Sequence, residues 1–349
     1  MTISRPTYTT REAVKARLDV KLTARMDGIV DDAIQAAAED VDRLCHRQFW
    51  PQVDSRAFDW PTRESPTSWR LWLDQHELIS ITALTAGGTT IAPADYLLYP
   101  VGGPPYTRIE INLGGSAAFA PGATHQKAIV IGGLFGYGND ETAAGTLAAL
   151  LDGSSTSLTV SSSAAVGVGD LIRVDDERML VTGRASVDTG QNLAADLAAS
   201  AAAAGMVVAD GSAYALGETL AVDTERFRVE DITGNVLTVR RAWDGSTLAA
   251  HTSGADIYAP RTLTVVRGYA GTTAAAHTQG AAVRRHAPPA LVRQLARAEA
   301  LATVQQEAAA YARVVGSGDN EREASGRGVK ALREDVYGAY GRKARIRAV

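Results

Sequence analysis

The residues of this chain that could do chemistry are few, and most of them come in pairs. His251 and His277 stand at equivalent places in an internal repeat, Arg241-Ala-Trp-Asp-Gly-Ser-Thr-Leu-Ala-Ala-His-Thr-Ser-Gly254 and Arg267-Gly-Tyr-Ala-Gly-Thr-Thr-Ala-Ala-Ala-His-Thr-Gln-Gly280. Two imidazoles can share one metal ion if the repeats pack face to face. The simpler expectation is that each hydrogen-bonds its own turn. A second repeat pairs Gly169-Asp-Leu-Ile-Arg-Val-Asp-Asp-Glu-Arg-Met-Leu-Val181 with Gly217-Glu-Thr-Leu-Ala-Val-Asp-Thr-Glu-Arg-Phe-Arg-Val229. It supplies the acidic pairs Asp175/Glu177 and Asp223/Glu225. Carboxylates so spaced are candidate calcium ligands, but without a further oxygen-rich loop they predict a solvated hairpin tip.

Other signals are weaker. His76-Glu77 opens as a zinc-protease helix motif does, yet position 80 is Ser, so the second ligand is missing. The Gly132–Gly138 run follows a strand as a phosphate loop would, but a Gly-rich β-segment continues where a helix should begin. The chain has no Gly-x-Ser-x-Gly elbow, no phosphate loop ending in Gly-Lys-Ser/Thr, and no Gly-x-Gly-x-x-Gly opening a helix. The expectation is a protein that is not an enzyme, with no cofactor and no metal. One cysteine, Cys45, excludes an internal disulfide framework and a multi-Cys zinc site.

The elements that must position these residues fall into three stretches. Thr9 or Thr10 is placed to N-cap a short helix through Arg11–Leu18. A second helix is predicted from about Met26 to Arg47, with Val30, Ile34, Ala37, Val41 and Leu44 as its buried stripe. Its other face carries Asp31, Asp32, Glu39, Asp42 and Arg43. Residues 52–138 then read as short strands punctuated by Gly, Pro and Asp, with a hairpin turn at Thr85-Ala86-Gly87-Gly88-Thr89. From about Asn139 the chain is rich in Ala, Gly, Ser and Thr. Each repeat there reads as strand–turn–strand with Val-Asp-x-Glu-Arg at a hairpin tip, predicting a small barrel or sandwich built from a duplicated β-unit. After Pro288-Pro289, Ala290–Val315 reads as a helix, and a weaker one covers about Val329–Tyr337.

The net charge of −4 is unevenly spread. Residues 1–138 balance at −2, residues 139–283 at −8 with every basic residue an Arg, and residues 284–349 at +6. The chain closes on Arg342, Lys343, Arg345 and Arg347, a basic tail suited to phosphate contact or to an acidic protein surface. No aromatic stacking platform accompanies it. Met1–Thr10 is polar, so no secretion signal is expected, and the Ala-rich Leu193–Gly205 is too short to cross a membrane.

The order of these parts resembles the head–tail connector (adaptor) family of long-tailed bacteriophages. Tyr8-Thr9-Thr10 opens a short helix, and a long acidic-faced helix ends in Cys45-His-Arg-Gln-Phe49. Leu78-Ile79-Ser80-Ile81-Thr82 and the pair Asp95-Tyr96 follow, then Ile131-Gly-Gly-Leu-Phe-Gly-Tyr137, and after Pro-Pro an Ala-rich helix. The likeness covers roughly residues 5–138 and 285–340. It departs at residues 139–284, where the family runs directly from strand to closing helix. Val266-Arg267-Gly268-Tyr269-Ala270-Gly271-Thr272 looks like repeat modules of phage structural proteins.

The resemblance implies an α+β chain. Residues 1–138 and 285–349 would form a helical connector core with a small β-sheet, and residues 139–284 an inserted all-β repeat domain. It implies a virion protein at the neck, made in the host cytoplasm, forming a ring of about twelve copies closed by heterologous contacts. The portal protein would lie on one side and a tail-side connector, stopper or tail-terminator protein on the other, with genomic DNA passing through the lumen without specific binding and no membrane partner. Arg342, Lys343, Arg345 and Arg347 would contact the portal or a neighbour, and Arg43, Arg47 and Arg293–Arg297 would offer charged ring contacts. The rival reading is a phage adhesin or glycan-binding β-module protein, for which Trp243, Tyr258 and Tyr269 should form an exposed aromatic ladder.

Overall fold

The computed structural model describes residues 3–18, 26–61, 67–308, 314–315, 322–323 and 327–342. Two short helices come first, α1 (Arg11–Lys15) and α2 (Asp27–Cys45). Thr10 caps α1 by accepting from the Ala13 amide at 3.1 Å, satisfying one of the donors a helix start leaves free. On α2, Val30, Ile34, Ala37 and Val41 are buried and Asp32, Glu39 and Arg43 are exposed, as the spacing of apolar residues requires. Cys45 rather than the half-buried Leu44 completes the stripe, and Asp31 of the expected polar face is buried against Arg11 at 2.5 Å.

The chain divides into two compact units, one of residues 1–41, 141–269 and 273–335, the other of residues 42–140, 270–272 and 336–349. The second unit holds strands β1 (Gln52–Phe58), β2 (Arg70–Trp72), β3 (Leu78–Ala86), β4 (Thr89–Thr90), β5 (Tyr96–Tyr99), β6 (Arg108–Ile111) and β7 (Ile129–Phe135). They form two antiparallel sheets, β1-β7-β3-β4 and β2-β6-β5, linked by a bridge between Leu78 and Tyr106. Leu71, Leu73, Leu78, Leu84, Ile109, Ile129, Ile131 and Phe135 fill the space between them. Gly87-Gly88 closes the β3–β4 hairpin, both at positive φ, as a two-residue turn between right-twisted strands demands.

The first unit carries β8 (Glu141–Thr146), β9 (Ser157–Thr159), β10 (Leu171–Val174), β11 (Glu177–Asn192), β12 (Gly205–Val207), β13 (Thr219–Val222), β14 (Glu225–Thr233), β15 (Val236–Arg240), β16 (Asp256–Val266) and β17 (Ala282–His286). These ten strands are one antiparallel sheet, in the path β12-β15-β14-β13-β16-β11-β10-β17-β8 with β9 also against β16. Two long strands, β11 and β16, run through both halves. Each half closes on itself through an isolated bridge, Leu147 to Val160 in one and Leu193 to Val208 in the other. The result is two six-stranded barrels sharing two strands. Each has its own core, one around Ile172, Met179, Val181, Leu263 and Val265, the other around Leu220, Phe227, Val229, Leu237 and Val239.

The barrels are nested copies. In the second barrel Thr233 pairs with Val236 across the two-residue turn Gly234-Asn235. The equivalent pair in the first is Ala185 and Thr262, and the whole second barrel, residues 186–261, stands where that turn would be. The ends of the combined domain also meet, since Glu141 pairs with His286.

The chain ends with α3 (Ala290–Ala308), the two-residue strands β18 (Val314–Val315) and β19 (Arg322–Glu323), and α4 (Arg327–Tyr340). This architecture corrects the expected α+β class. The described residues are mostly antiparallel β-sheet with four short helices, and no helical connector core is formed. The flanking helices bury narrow stripes, while the strands supply about twice as many buried apolar side chains as the helices do.

Candidate functional site

Both internal repeats converge on one arrangement, built twice. At the tip of the β13–β14 hairpin Val222 pairs with Glu225, and Asp223 takes a left-handed conformation at φ 52° that lets the turn close in two residues. The next strand pair ends at Arg241, directly after β15. From there a 3-10 turn at Trp243–Gly245 leads to His251, which bridges back to Leu197. This segment is an excursion over the barrel mouth rather than the strand–turn–strand its pattern predicted.

The side chains of Glu225, Arg241 and His251 meet inside that mouth. Glu225 is fully buried and accepts five hydrogen bonds: from Arg241 Nε and Nη2 at 2.8 Å each, the Ala242 and Ala249 amides at 2.9 and 3.0 Å, and His251 Nε2 at 3.0 Å. Arg241 spends its remaining donors on the carbonyls of Ala198, Ser200, Ala203 and Ala249. His251 Nδ1 faces Asp223 Oδ2 at 2.7 Å. The first barrel repeats this almost atom for atom. Glu177 accepts from Arg267 Nε and Nη2 at 2.7 and 2.8 Å, from the Gly268 and Ala275 amides, and from His277 Nε2 at 2.9 Å. His277 Nδ1 lies 2.7 Å from Asp175 Oδ2.

The electrostatics follow from this geometry. Burial alone would raise both glutamate carboxyls, but the charged hydrogen bonds from arginine and histidine and the two backbone amides outweigh it. They hold Glu177 and Glu225 down to about 2. The glutamate, arginine and histidine side chains of both clusters are thereby committed within the chain. Each histidine serves its own barrel, so the shared two-histidine metal centre is not assembled. Among the described residues no group of three or more His, Cys, Asp or Glu is placed to hold a metal ion. The acidic pairs likewise part company, Glu177 and Glu225 going inside and Asp175 and Asp223 staying largely exposed at the tips. What the arrangement does is clasp a long loop across a barrel end with a multiply bonded ion pair.

The other sequence-derived candidates are also drawn into structural roles. Glu77 sits between Arg47 at 3.3 Å and Arg342 at 3.4 Å, and His76 contacts Arg56 at 3.1 Å. Gly132 and Gly133 are paired strand residues of β7, and a Cβ on Gly133 would stand 2.2 Å from the Ser80 carbonyl oxygen. Arg342 donates to the Asp74 and Gln75 carbonyls, and its amide bonds the Cys45 carbonyl. Lys343, Arg345 and Arg347 lie outside the described residues. Trp243 and Tyr269 are half-buried and Tyr258 is exposed. The Tyr269 hydroxyl donates to the Ser4 carbonyl at 3.2 Å, so no open aromatic ladder results.

Sequence reasoning missed the partners Arg241 and Arg267. The signal was present in the order of the repeats. Two Val-Asp-x-Glu-Arg segments are followed by two Arg-x-aromatic segments, an order that nested pairing satisfies. No known protein family, characterised protein or solved structure matches the chain.

Proposed function

We propose that this chain is a structural virion protein, a head-to-tail adaptor that assembles as a ring between portal and tail around the DNA channel of a long-tailed phage. The observation that carries the reading is where the β-domain joins the rest of the chain. Its first and last strands are neighbours, Glu141 opposite His286, so the chain enters and leaves the domain at adjacent positions between the segments that resemble the connector family. A domain attached in that way can be accommodated without separating the chain on either side of it. The proposal does not need a helical core. It asks only that these segments present surfaces that close into a ring by repeated heterologous contact. Exposed charges of both signs are available for such contacts, Asp32 and Glu39 on α2 and Arg293 on α3.

The adhesin reading drew on an exposed ladder of Trp243, Tyr258 and Tyr269. Only Tyr258 among them is exposed, so that observation does not favour it. The test is the mass and symmetry of the purified protein, alone and mixed with the portal, by light scattering and negative-stain imaging. A ring with a central pore in either sample supports the adaptor. Monomers or elongated trimers in both overturn it.

A further inference from the structure

The nested copy provides an internal control, and one face of the second barrel departs sharply from it. Arg228 of β14 and Arg240 of β15 are direct cross-strand partners, whereas the equivalent pair in the first barrel is Leu180 and Val266. Trp243 stands where the first barrel has Tyr269, and the two guanidinium carbons lie 4.9 and 5.3 Å from the centre of its ring. Like charges set directly opposite on neighbouring strands repel. Neither arginine has a carboxylate partner among the described residues. An arginine pair kept in this position is a site short of its counter-charge.

Arg228 and Trp243 line a cleft of about 400 Å³ whose far wall is α1. Seven cationic side chains border it against three carboxylates, Glu12, Asp27 and Asp244. Those carboxylates are already claimed. Asp27 lies 2.9 Å from Lys15 and 3.6 Å from Arg11, Asp244 is shared by Lys15 and Arg226, and Glu12 pairs with Arg184 at 3.4 Å. Arg11 also binds Asp31 at 2.5 Å, and Arg285 lies 3.9 Å from Asp170. The cations of the cleft with no carboxylate partner among the described residues are therefore Arg17 and Arg228. With Arg240 opposite Arg228, this end of the cleft is complementary to an anion.

The first barrel indicates what kind of anion. Its loop Gly167-Val168-Gly169 is covered by the chain's own N-terminal arm. The Thr7 amide donates to the Gly169 carbonyl at 2.9 Å, the Arg11 amide to the Val168 carbonyl at 3.2 Å, and the Val168 amide to Glu12 Oε2 at 2.9 Å. Val168 is fully buried there. In the second barrel the same loop is Ala215-Leu216-Gly217. Leu216 is 61% exposed, and its amide and carbonyl have no partner among the described residues. Gly217 borders the cleft. A second copy of the arm does not fit, because Ala215 carries a methyl where a Cβ on Gly167 would stand 2.3 Å from Glu12 and 2.7 Å from Thr10.

We infer that the cleft and the adjoining Leu216 loop form a docking groove for an extended acidic segment of another polypeptide. Its backbone pairs with Leu216, an apolar side chain covers the Leu216 methyls, and its carboxylates lie on Arg228 and Arg240, which suit them bidentately. This goes beyond the adaptor reading and does not rest on it.

The test uses the full chain and a fluorescein-labelled peptide of alternating Glu and Leu, followed by fluorescence anisotropy. An oligothymidylate of matched charge and an alternating Lys-Leu peptide are measured beside it. Saturable, salt-sensitive binding of the acidic peptide is expected, weakened at least about tenfold in the Arg228→Gln/Arg240→Gln protein and several-fold in Leu216→Ser. Lys127→Glu, a surface change in the other unit, should leave it unaltered. Both arginines face outwards, so the double variant is expected to melt no lower than the parent, which separates loss of binding from loss of fold. Absence of saturable binding overturns the inference, as does equal binding by the double variant. Tighter binding of the oligothymidylate than of the acidic peptide overturns it in favour of a nucleic-acid site.

Discussion

Glu177 and Glu225 show how much of a residue's role is hidden from its neighbours in sequence. The Val-Asp-x-Glu-Arg phrase marks a hairpin tip, and Asp175 and Asp223 adopt the left-handed conformation such a tip needs. That the following glutamate turns inward depends on an arginine 16 residues away in one barrel and 90 in the other, a separation no local pattern reveals. Removing one partner of a buried ion pair strands the other, which costs about 3–5 kcal/mol. Glu225→Gln and Glu177→Gln should each lower stability by that amount in urea unfolding. Because the two clasps serve separate cores, the double variant should lose about the sum, within roughly 0.5 kcal/mol. A marked shortfall would show that the barrels do not carry their clasps independently. The pH dependence has a definite sign. Both carboxyls sit at about 2 when folded against an ordinary value of 4.5. Their contribution is therefore complete above about pH 5 and is lost as pH falls towards 2, on the order of 3 kcal/mol per clasp. Asp170 pulls the other way. Burial raises it to about 6, so its ionisation weakens the fold as pH rises from 4 through 6. Melting temperatures measured from pH 2 to 7 should rise steeply to about pH 5 and flatten beyond, with Asp170→Asn extending the rise.

At the scale of elements, local signals were legible wherever local physics decides. The Thr10 cap, the buried stripe of α2, and the Gly87-Gly88 hairpin follow from side-chain hydrogen bonding, helical periodicity and positive φ respectively. What local pattern did not convey is where an element docks. The N-terminal arm reads as a plain lead-in to a helix, yet its Thr7, Arg11 and Glu12 bond a loop more than 150 residues on. The Gly132–Gly133 pair suggested a phosphate cradle because Gly-rich turns and closely approached strands share a composition. Their actual reason is the β3–β7 register, which shifts at Ser80 and brings its carbonyl against Gly133. Gly133→Ala must push that carbonyl away at the centre of a paired strand, so a loss of about 1–3 kcal/mol is expected. Thr10→Ala should cost about 1 kcal/mol through the lost cap alone. If Gly133→Ala proved neutral in thermal melting, β7 would have to be free to slip, and the register assigned to this sheet would fall.

At the scale of the whole molecule, the helical core expected from the order of segments gave way because a few helices cannot enclose as much apolar surface as two barrel cores and a third core between two sheets. Segment order records resemblance. The class is set by which elements bury the most. The order of the repeats in the sequence permits nesting, but it needs the structure to show that Glu177 belongs with Arg267 and Glu225 with Arg241. Nesting has a physical consequence. Residues 186–261 hold a complete core, a complete clasp and chain ends that already pair, Val187 opposite Ala259. A segment of that length is close to the lower size at which a single core suffices. It should therefore fold when expressed alone, with a cooperative melt and protection of the β14 and β15 amides. The complementary experiment replaces the second barrel with a simple hairpin by joining Ala185 to Thr262 through Gly-Asn, the turn that closes β14 and β15. The shortened chain gives up Arg261 and Glu218, which bond each other, and with them the hydrogen bonds that Glu218 accepts from the Ser163 amide and hydroxyl in the first barrel. It should be less stable than the parent but retain the clasp of Glu177, Arg267 and His277. If instead both pieces are unfolded, β11 and β16 are not shared edges between two modules but the spine of a single indivisible sheet, and the cooperative unit is the pair.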